Sequence, residues 1–451
     1  MHCMRKNLLN AILVLGCCSA SLAVAQDRPR GGVLFENVRI YNGTADRLSA
    51  ASNVLVVGNV IRTISSGPIA DPAGVEVQRV RGGGRTLMPG LIDNHWHTML
   101  VRPSLPSQAL ESDVGYLNLL AGAEAQATLM RGFTSVRDLG GPSFGLKRAI
   151  DEGLAVGPRI YPSGAIITIT GGHGDFRSPA ELPRQLGGPL SRMELMNASM
   201  VADSPDEVRV RTREQLLLGA SQIKLTAGGG VASPHSPLDV STFNEDELRA
   251  AVQAAENWGT YVGVHAYTPA AIRRAIAAGV KVIEHGHLMD DPTAELIAQK
   301  GIWLSFQPFT DDAPAAFLPP ANRLRLQQVI TGTERTVALA KKYRIKMAFG
   351  TDILFSASAA TRQGAELVKM LKWYTAPEAL AMATSTNAEL LKLSGPRDPY
   401  PGRLGVVEES ALADLLLVDG DPLTNLKLIE EPAKNFVVIM KDGRIFKNVL
   451  Q

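Results

Sequence analysis

Between about Met88 and Leu393 the chain alternates strand-like and helix-like segments, and this alternation limits the possible folds more than any other feature. Eight apolar segments of strand length end near His97, Asp138, the run Ile166 to Thr170, Leu225, His265, His285, Gln307 and Asp352. Helical patterns lie between them. In Asn244 to Trp258, Asn244 can cap, Glu247 completes a capping box, and Leu248, Val252 and Ala255 share a face. Repeated strand–helix units specify parallel strands. Eight of them fit a closed (β/α)8 TIM barrel, with a doubly wound open sheet as the competing architecture.

The flanks have a different texture. Val33 to Ile40, Val54 to Val57 and Val60 to Ile64 are short apolar alternations broken by Gly, Asn and Pro, which read as strands joined by tight turns. The same texture returns in Asp414 to Gly420 and Val437 to Ile445. Two strand-rich ends around one middle can fold together into a small β-sandwich. The expected organisation is therefore a sandwich from residues 26–87 and 396–451, and a barrel over 88–395. A chain of 451 residues exceeds what one hydrophobic core usually organises, in keeping with this division.

The first 25 residues read as a secretory signal peptide: Arg5 and Lys6, an apolar run from Leu8 to Leu15, then Ala23-Val24-Ala25 before Gln26. Export to the periplasm or the exterior is the expectation. The apolar stretch is short for a membrane anchor, and lipid attachment at Cys17 or Cys18 ranks below simple cleavage. All three cysteines, Cys3, Cys17 and Cys18, fall in this leader, so metal ligands in the mature chain would have to be His, Asp, Glu or Lys. Removing Arg5 and Lys6 leaves 44 basic residues against 44 acidic ones. Such balance argues against nucleic acid, which calls for concentrated Lys and Arg.

Histidine is scarce, with 8 in the chain, so its placement is informative. His95 and His97 close the run Leu87 to Asn94, and residues two apart on a strand point to one side. Lys224 sits among apolar neighbours in Gln222-Ile223-Lys224-Leu225-Thr226, where a charged amine is costly to bury. His265, His285 and Asp352 each end a further strand. Singly these have ordinary explanations: a core histidine, a solvated strand end, a helix cap. Jointly they do not, because a barrel gathers the C-terminal ends of its strands around one mouth.

The ordered set His95, His97, Lys224, His265, His285 and Asp352 follows Met88-Pro89-Gly90-Leu91-Ile92-Asp93 and precedes Ala413-Asp414-Leu415 with Gly420-Asp421-Pro422. Over nearly the whole mature chain this pattern resembles the amidohydrolase superfamily. Thr170-Gly171-Gly172-His173-Gly174, Lys224 to Gly229 and Val264-His265-Ala266-Tyr267 resemble its branch of Xaa-Pro dipeptidases, related carboxypeptidases and ochratoxin-degrading enzymes.

The resemblance implies two divalent metal ions, zinc by preference. His95 and His97 would bind one and His265 and His285 the other, with Lys224, carboxylated by carbon dioxide, bridging them. Asp352 would contact the first metal and act as the acid–base group, while His173 and Tyr267 would contact substrate. Zinc in favourable sites lowers the pKa of bound water to about 7.

The implied activity is hydrolysis of a peptide-like amide to a C-terminal amino acid, ochratoxin A included. Other reactions of the superfamily (cyclic-amide hydrolysis, deamination, ester cleavage) and a non-catalytic binding protein are the alternatives. Association into a homo-oligomer is also implied.

Three further features stand outside this set. His287 lies two residues beyond His285, His235 sits in the loop Ser233 to Pro237, and Arg137-Asp138 reads as a structural ion pair. The Pro-containing segments Phe176 to Ala202 and Thr310 to Asn322 are expected to shape the pocket.

Overall fold

The computed structural model describes residues 31–104, 106–312 and 318–450. The expected leader lies outside the described residues. Strands β1 (Gly32–Ile40), β2 (Ser52–Val57), β3 (Val60–Ser65), β4 (Val77–Arg81) and β5 (Thr86–Pro89) come first. The barrel segment supplies β6 (Leu91–Trp96), β7 (Phe133–Asp138), β8 (Arg159–Pro162), β9 (Ile166–Thr168), β10 (Ser199–Val201), β11 (Ile223–Thr226), β12 (Val262–Ala266), β13 (Val282–His285), β14 (Trp303–Phe306) and β15 (Met347–Phe349). The chain ends with β16 (Leu415–Val418), β17 (Phe436–Lys441) and β18 (Arg444–Asn448).

The two chain ends interleave in the order β18-β17-β16-β5-β1-β2-β3, with β4 also paired to β1. The first half of β1 pairs with β2 and β4, whereas Arg39 and Ile40 pair with β5. A register shift between Phe35 and Val38, with Asn37 at φ 54°, lets the strand pass from one half to the other. Alternate residues of both halves, among them Phe35, Val54, Ile61, Leu415, Leu417 and Val438, share one core.

The barrel strands pair in parallel, as β6-β7-β8 and as β10-β9-β11-β12-β13-β14-β15. β8 and β9 are two parts of the third barrel strand. Gly164 bends the chain between them at φ 71°, and a Cβ there would come within 2.3 Å of Gln215 Oε1. β11 follows both parts: Ser221 N–H donates to Pro162 O at 2.8 Å, and Leu225 pairs with Ile167. β10 is an addition from the loop after this strand.

Helices Val114–Met130, Phe144–Asp151, Pro205–Leu217, Glu245–Glu256, Pro269–Ala278, Asp291–Gln299 and Pro320–Tyr343 follow successive barrel strands. A broken helical run over 363–391 follows the last. Asn244 caps its helix as its sequence predicts, its N–H donating to the Glu247 carboxylate at 2.7 Å. Among the described residues no helix is long and apolar enough to cross a membrane.

Between β15 and β6, the closing seam of the barrel, side chains carry much of the connection. Asp352 N–H donates to His95 O at 2.8 Å. The buried Asp93 carboxylate accepts four bonds: His95 N–H and Thr351 N–H at 3.0 Å each, Thr351 Oγ1 at 2.7 Å and Gln363 Nε2 at 2.9 Å. Gly350 is required here, since a Cβ would lie 2.5 Å from His95 Cβ. The open sheet is thereby excluded, and the mouth of a closed barrel is left to hold the site.

Candidate active site

At the barrel mouth six buried groups, His95, His97, Lys224, His265, Tyr267 and His285, meet the half-buried His173 and Asp352 around one cavity of about 150 Å³. His95 and His97 share a side of β6 with ring centroids 5.2 Å apart. Their Nε2 atoms lie 3.2 and 3.1 Å from Asp352 Oδ1. One ligand atom from each of these three residues falls within 4.8 Å of the others, a cluster that could hold a metal ion.

Burial pushes the Asp352 carboxyl up, but the neighbouring imidazoles, His95 first, outweigh it and hold the group well below the usual carboxylate range. It is therefore an anion among histidines.

His265 ends β12 with its ring 4.5 Å from His285 and 4.3 Å from His173. Its Nε2 lies 2.9 Å from Gly229 O, an acceptor, so Nε2 carries the proton and Nδ1 keeps a lone pair. Tyr267 stacks on His285 at 4.9 Å. Burial lowers the pKa of His97, His265 and His285, and takes that of His173 down to about 4. These rings are neutral at pH 7, the form in which imidazole binds metals. The Nδ1 atoms of His97, His173 and His285 are buried without a hydrogen-bond partner, which is costly for a native site unless a ligand satisfies them.

Lys224 lies on β11 with 3% exposure, and burial pushes its amine down to about 8, with Glu284 and Asp352 acting against that shift. The shift raises the neutral, nucleophilic fraction of this amine far above that of an ordinary lysine.

Above the polar base the walls turn apolar, with Leu100, Ile166, Leu326 and Phe355 joined by Phe176, Met193 and Leu318 from the two Pro-containing segments. His235 lies outside the cavity: its Nε2 is 2.8 Å from Arg177 O, joining the loops after the third and fourth barrel strands. His287 also stays out. Its ring stacks on Phe306 at 5.1 Å, and its Nε2 is 2.9 Å from Gln307 O.

The expected Arg137–Asp138 ion pair does not form. Consecutive residues of a strand point to opposite faces. Arg137 instead holds both oxygens of Glu284, at 2.7 and 2.8 Å, while Asp138 accepts Thr98 N–H at 2.9 Å.

Glu284 escapes the sequence reasoning because it adjoins His285, and strand alternation sends neighbours apart. His285 has φ 77°, a left-handed conformation uncommon for a residue with a side chain, and this breaks the alternation. The clue present in sequence was a carboxylate in an apolar strand, the same clue that singles out Lys224. Burial pushes the Glu284 carboxyl up, but Arg137 and then His95 outweigh it and hold the group well below its ordinary value.

The Amidohydrolase family profile matches residues 86–446. Ochratoxinase from Aspergillus niger is 32% identical over 327 residues, which span 71% of this chain and 66% of that protein, just under two thirds of its length. Among solved structures, a prolidase complexed with N-methylphosphonate-L-proline is 32% identical, with a TM-score of 0.83 over 92% of this chain and 100% of that one. A Xaa-Pro dipeptidase with bound methionine in its active site is 29% identical, with a TM-score of 0.80 over 93% and 100%. A closed barrel with its chain ends in one accessory sheet, polar groups gathered at the strand ends, and a profile covering both features agree on one assignment: the chain belongs to the amidohydrolase family.

Proposed function

We propose that this enzyme uses two divalent metal ions, zinc by preference, to cleave the amide bond to a C-terminal amino acid, in the manner of a dipeptidase or carboxypeptidase, with ochratoxin A among the substrates. The observation that carries this reading is the convergence of His95, His97, Lys224, His265, His285 and Asp352 at the base of one apolar cavity. The names of its relatives, ochratoxinase and prolidase, support the same substrate class.

In this reading His95, His97 and Asp352 would hold one ion, and His265 and His285 the other. Lys224, carboxylated, would supply both; its neutral amine nitrogen would bond to the carbon of carbon dioxide and release one proton to solvent, replacing a costly buried cation by an anionic two-oxygen ligand. When bound, the ions supply Lewis acidity and acidify water at neutral pH.

The chain's own groups do the rest. Asp352, ionised between His95 and His97, accepts a proton from the attacking water and passes it to the departing nitrogen. Tyr267 keeps its phenolic proton, because burial raises its pKa well above the ordinary value, and so donates to the substrate carbonyl or terminal carboxylate. His173 offers its unpartnered ring nitrogen beside the His265 ring. Apolar side chains of the substrate lie against Phe176, Met193 and Leu318, each removed Å² contributing about 25 cal/mol. The leader-like N-terminus makes this an exported enzyme.

The test is a hydrolysis screen of dipeptides and N-acyl amino acids, ochratoxin A included, on protein with zinc and on protein stripped by chelator. Turnover with zinc, its loss on stripping and its return on adding zinc are expected. His265→Ala and Asp352→Asn should abolish turnover with the far-UV circular dichroism unchanged. Full activity in the metal-free protein would defeat the proposal.

A further inference from the structure

Beneath the metal-ligand cluster lies a fully buried ionic chain whose stability value is doubtful. Arg137 and Glu284 are both 0% exposed, and a buried ion pair is often no more stabilising than well-packed apolar side chains. The chain is anchored elsewhere: Arg137 Nε donates to Asn94 O at 2.7 Å and Nη1 to Tyr261 Oη at 3.2 Å. What distinguishes it is where it ends. Glu284 Oε2 lies 3.0 Å from His95 Nδ1.

A carboxylate gripped by a guanidinium can only accept, so the His95 nitrogen facing it must be the one carrying hydrogen. The opposite nitrogen, Nε2, 3.2 Å from Asp352 Oδ1, is then the one left to share a metal ion with that carboxylate. A competing arrangement is built into the same place. Gln307 Nε2 is 3.3 Å from the same Nδ1 and, by donating to it, would drive the hydrogen onto Nε2 and remove the lone pair. The charged acceptor is nearer and stronger. Gln307 Oε1 has no partner, and turning the carboxamide over would give Nδ1–H a second acceptor. Room for the carboxylate comes from Gly263 on the adjacent strand, where an added Cβ would sit 3.1 Å from Glu284 Oε1.

We infer that Glu284, held by Arg137, is a positioning residue that fixes the tautomer of His95 and aims its Nε2 at the metal cluster. The inference rests on the metal-binding reading above. Such partners of ligating histidines typically change metal affinity by about 10- to 100-fold.

The experiment measures zinc affinity by competition with a chromophoric chelator, on the wild type, Glu284→Gln, Glu284→Asp and the double variant Arg137→Met, Glu284→Leu. The double variant leaves no lone charge in the interior, so it separates folding from positioning. Roughly 10- to 100-fold weaker zinc binding is expected in Glu284→Gln and in the double variant, with partial recovery in Glu284→Asp. Wild-type affinity in a folded double variant would overturn the inference, since the ion pair would then be structural alone.

Long-range proton–nitrogen NMR of histidine-labelled metal-free wild type, with His95 assigned by its loss in His95→Gln, decides the matter even if a variant fails to fold. A hydrogen on Nδ1 supports the inference, and an Nδ1 without hydrogen refutes it. A wild type that binds no divalent ion would bring down the metal-binding reading itself, a different result from wild-type binding that the variants share.

Discussion

Replacing Asp93 tests how the barrel seam is held. Its carboxylate accepts two backbone N–H groups, those of His95 and Thr351, at 3.0 Å each, along with the Thr351 hydroxyl and the Gln363 amide. In Asp93→Ala the two backbone donors cannot reorient, and at about 1–3 kcal/mol for each buried unsatisfied donor the cost is about 2–6 kcal/mol.

Asp93→Asn is a milder change. Its amide oxygen can keep both backbone bonds, and its NH2 can meet the Thr351 hydroxyl, but it opposes Gln363 Nε2. Gln363 cannot turn over, because Arg131 Nε donates to its Oε1 at 3.0 Å. One lost bond costs about 1–3 kcal/mol. Against that, burial pushes the Asp93 carboxyl up, so the neutral amide is spared part of a charge-burial penalty. A net cost of about 1 kcal/mol is expected. Urea unfolding followed by tryptophan fluorescence, with Trp96 wholly buried beside the seam, reads both changes. A loss below about 1 kcal/mol in Asp93→Ala, or equal losses in the two variants, would refute the reasoning.

Two further variants address the walls of the cavity. In Gly230→Ala the new Cβ would stand 2.3 Å from His173 Nδ1, so the ring must move; kcat/KM should fall by up to about 100-fold while the urea midpoint stays near that of the wild type. Arg325 Nη1 donates to Gly230, Ser233 and Ser236 carbonyls at 3.4, 3.0 and 3.1 Å, clamping the loop that carries Val231 to the wall. Arg325→Ala should raise KM about tenfold, equivalent to about 1.4 kcal/mol, with a smaller change in kcat, as steady-state kinetics would show.

The barrel was legible because strand ends near His97, Asp138, Leu225, His265, His285, Gln307 and Asp352 are marked by polar residues closing apolar runs, and the observed strands end within a few residues of them. The third strand reads less cleanly: its break at Gly164 depends on Gln215 and Phe144, which are distant in sequence. Long-range partners explain the other gaps. Arg137 looks toward its neighbour Asp138 in the sequence, but pleating turns it to Glu284, 147 positions away. Asp93 reads as part of an apolar run, and its four donors come from both sides of the seam. His287 shares the spacing that made His95 and His97 a pair, yet the positive φ of Gly286 and His285 diverts it against Phe306.

Gly90 alone separates β5, in the end sheet, from β6, which delivers His95, and its N–H is tied to Asp414 O at 2.8 Å. The accessory sheet and the chemistry thus share one uninterrupted stretch of backbone, crossed by strands from both termini. Chimeras that exchange the barrel while keeping a foreign sheet would cut through this stretch. Recombination between relatives should succeed when the two parts travel together, and loop grafting at the rim is the safer route to new specificity.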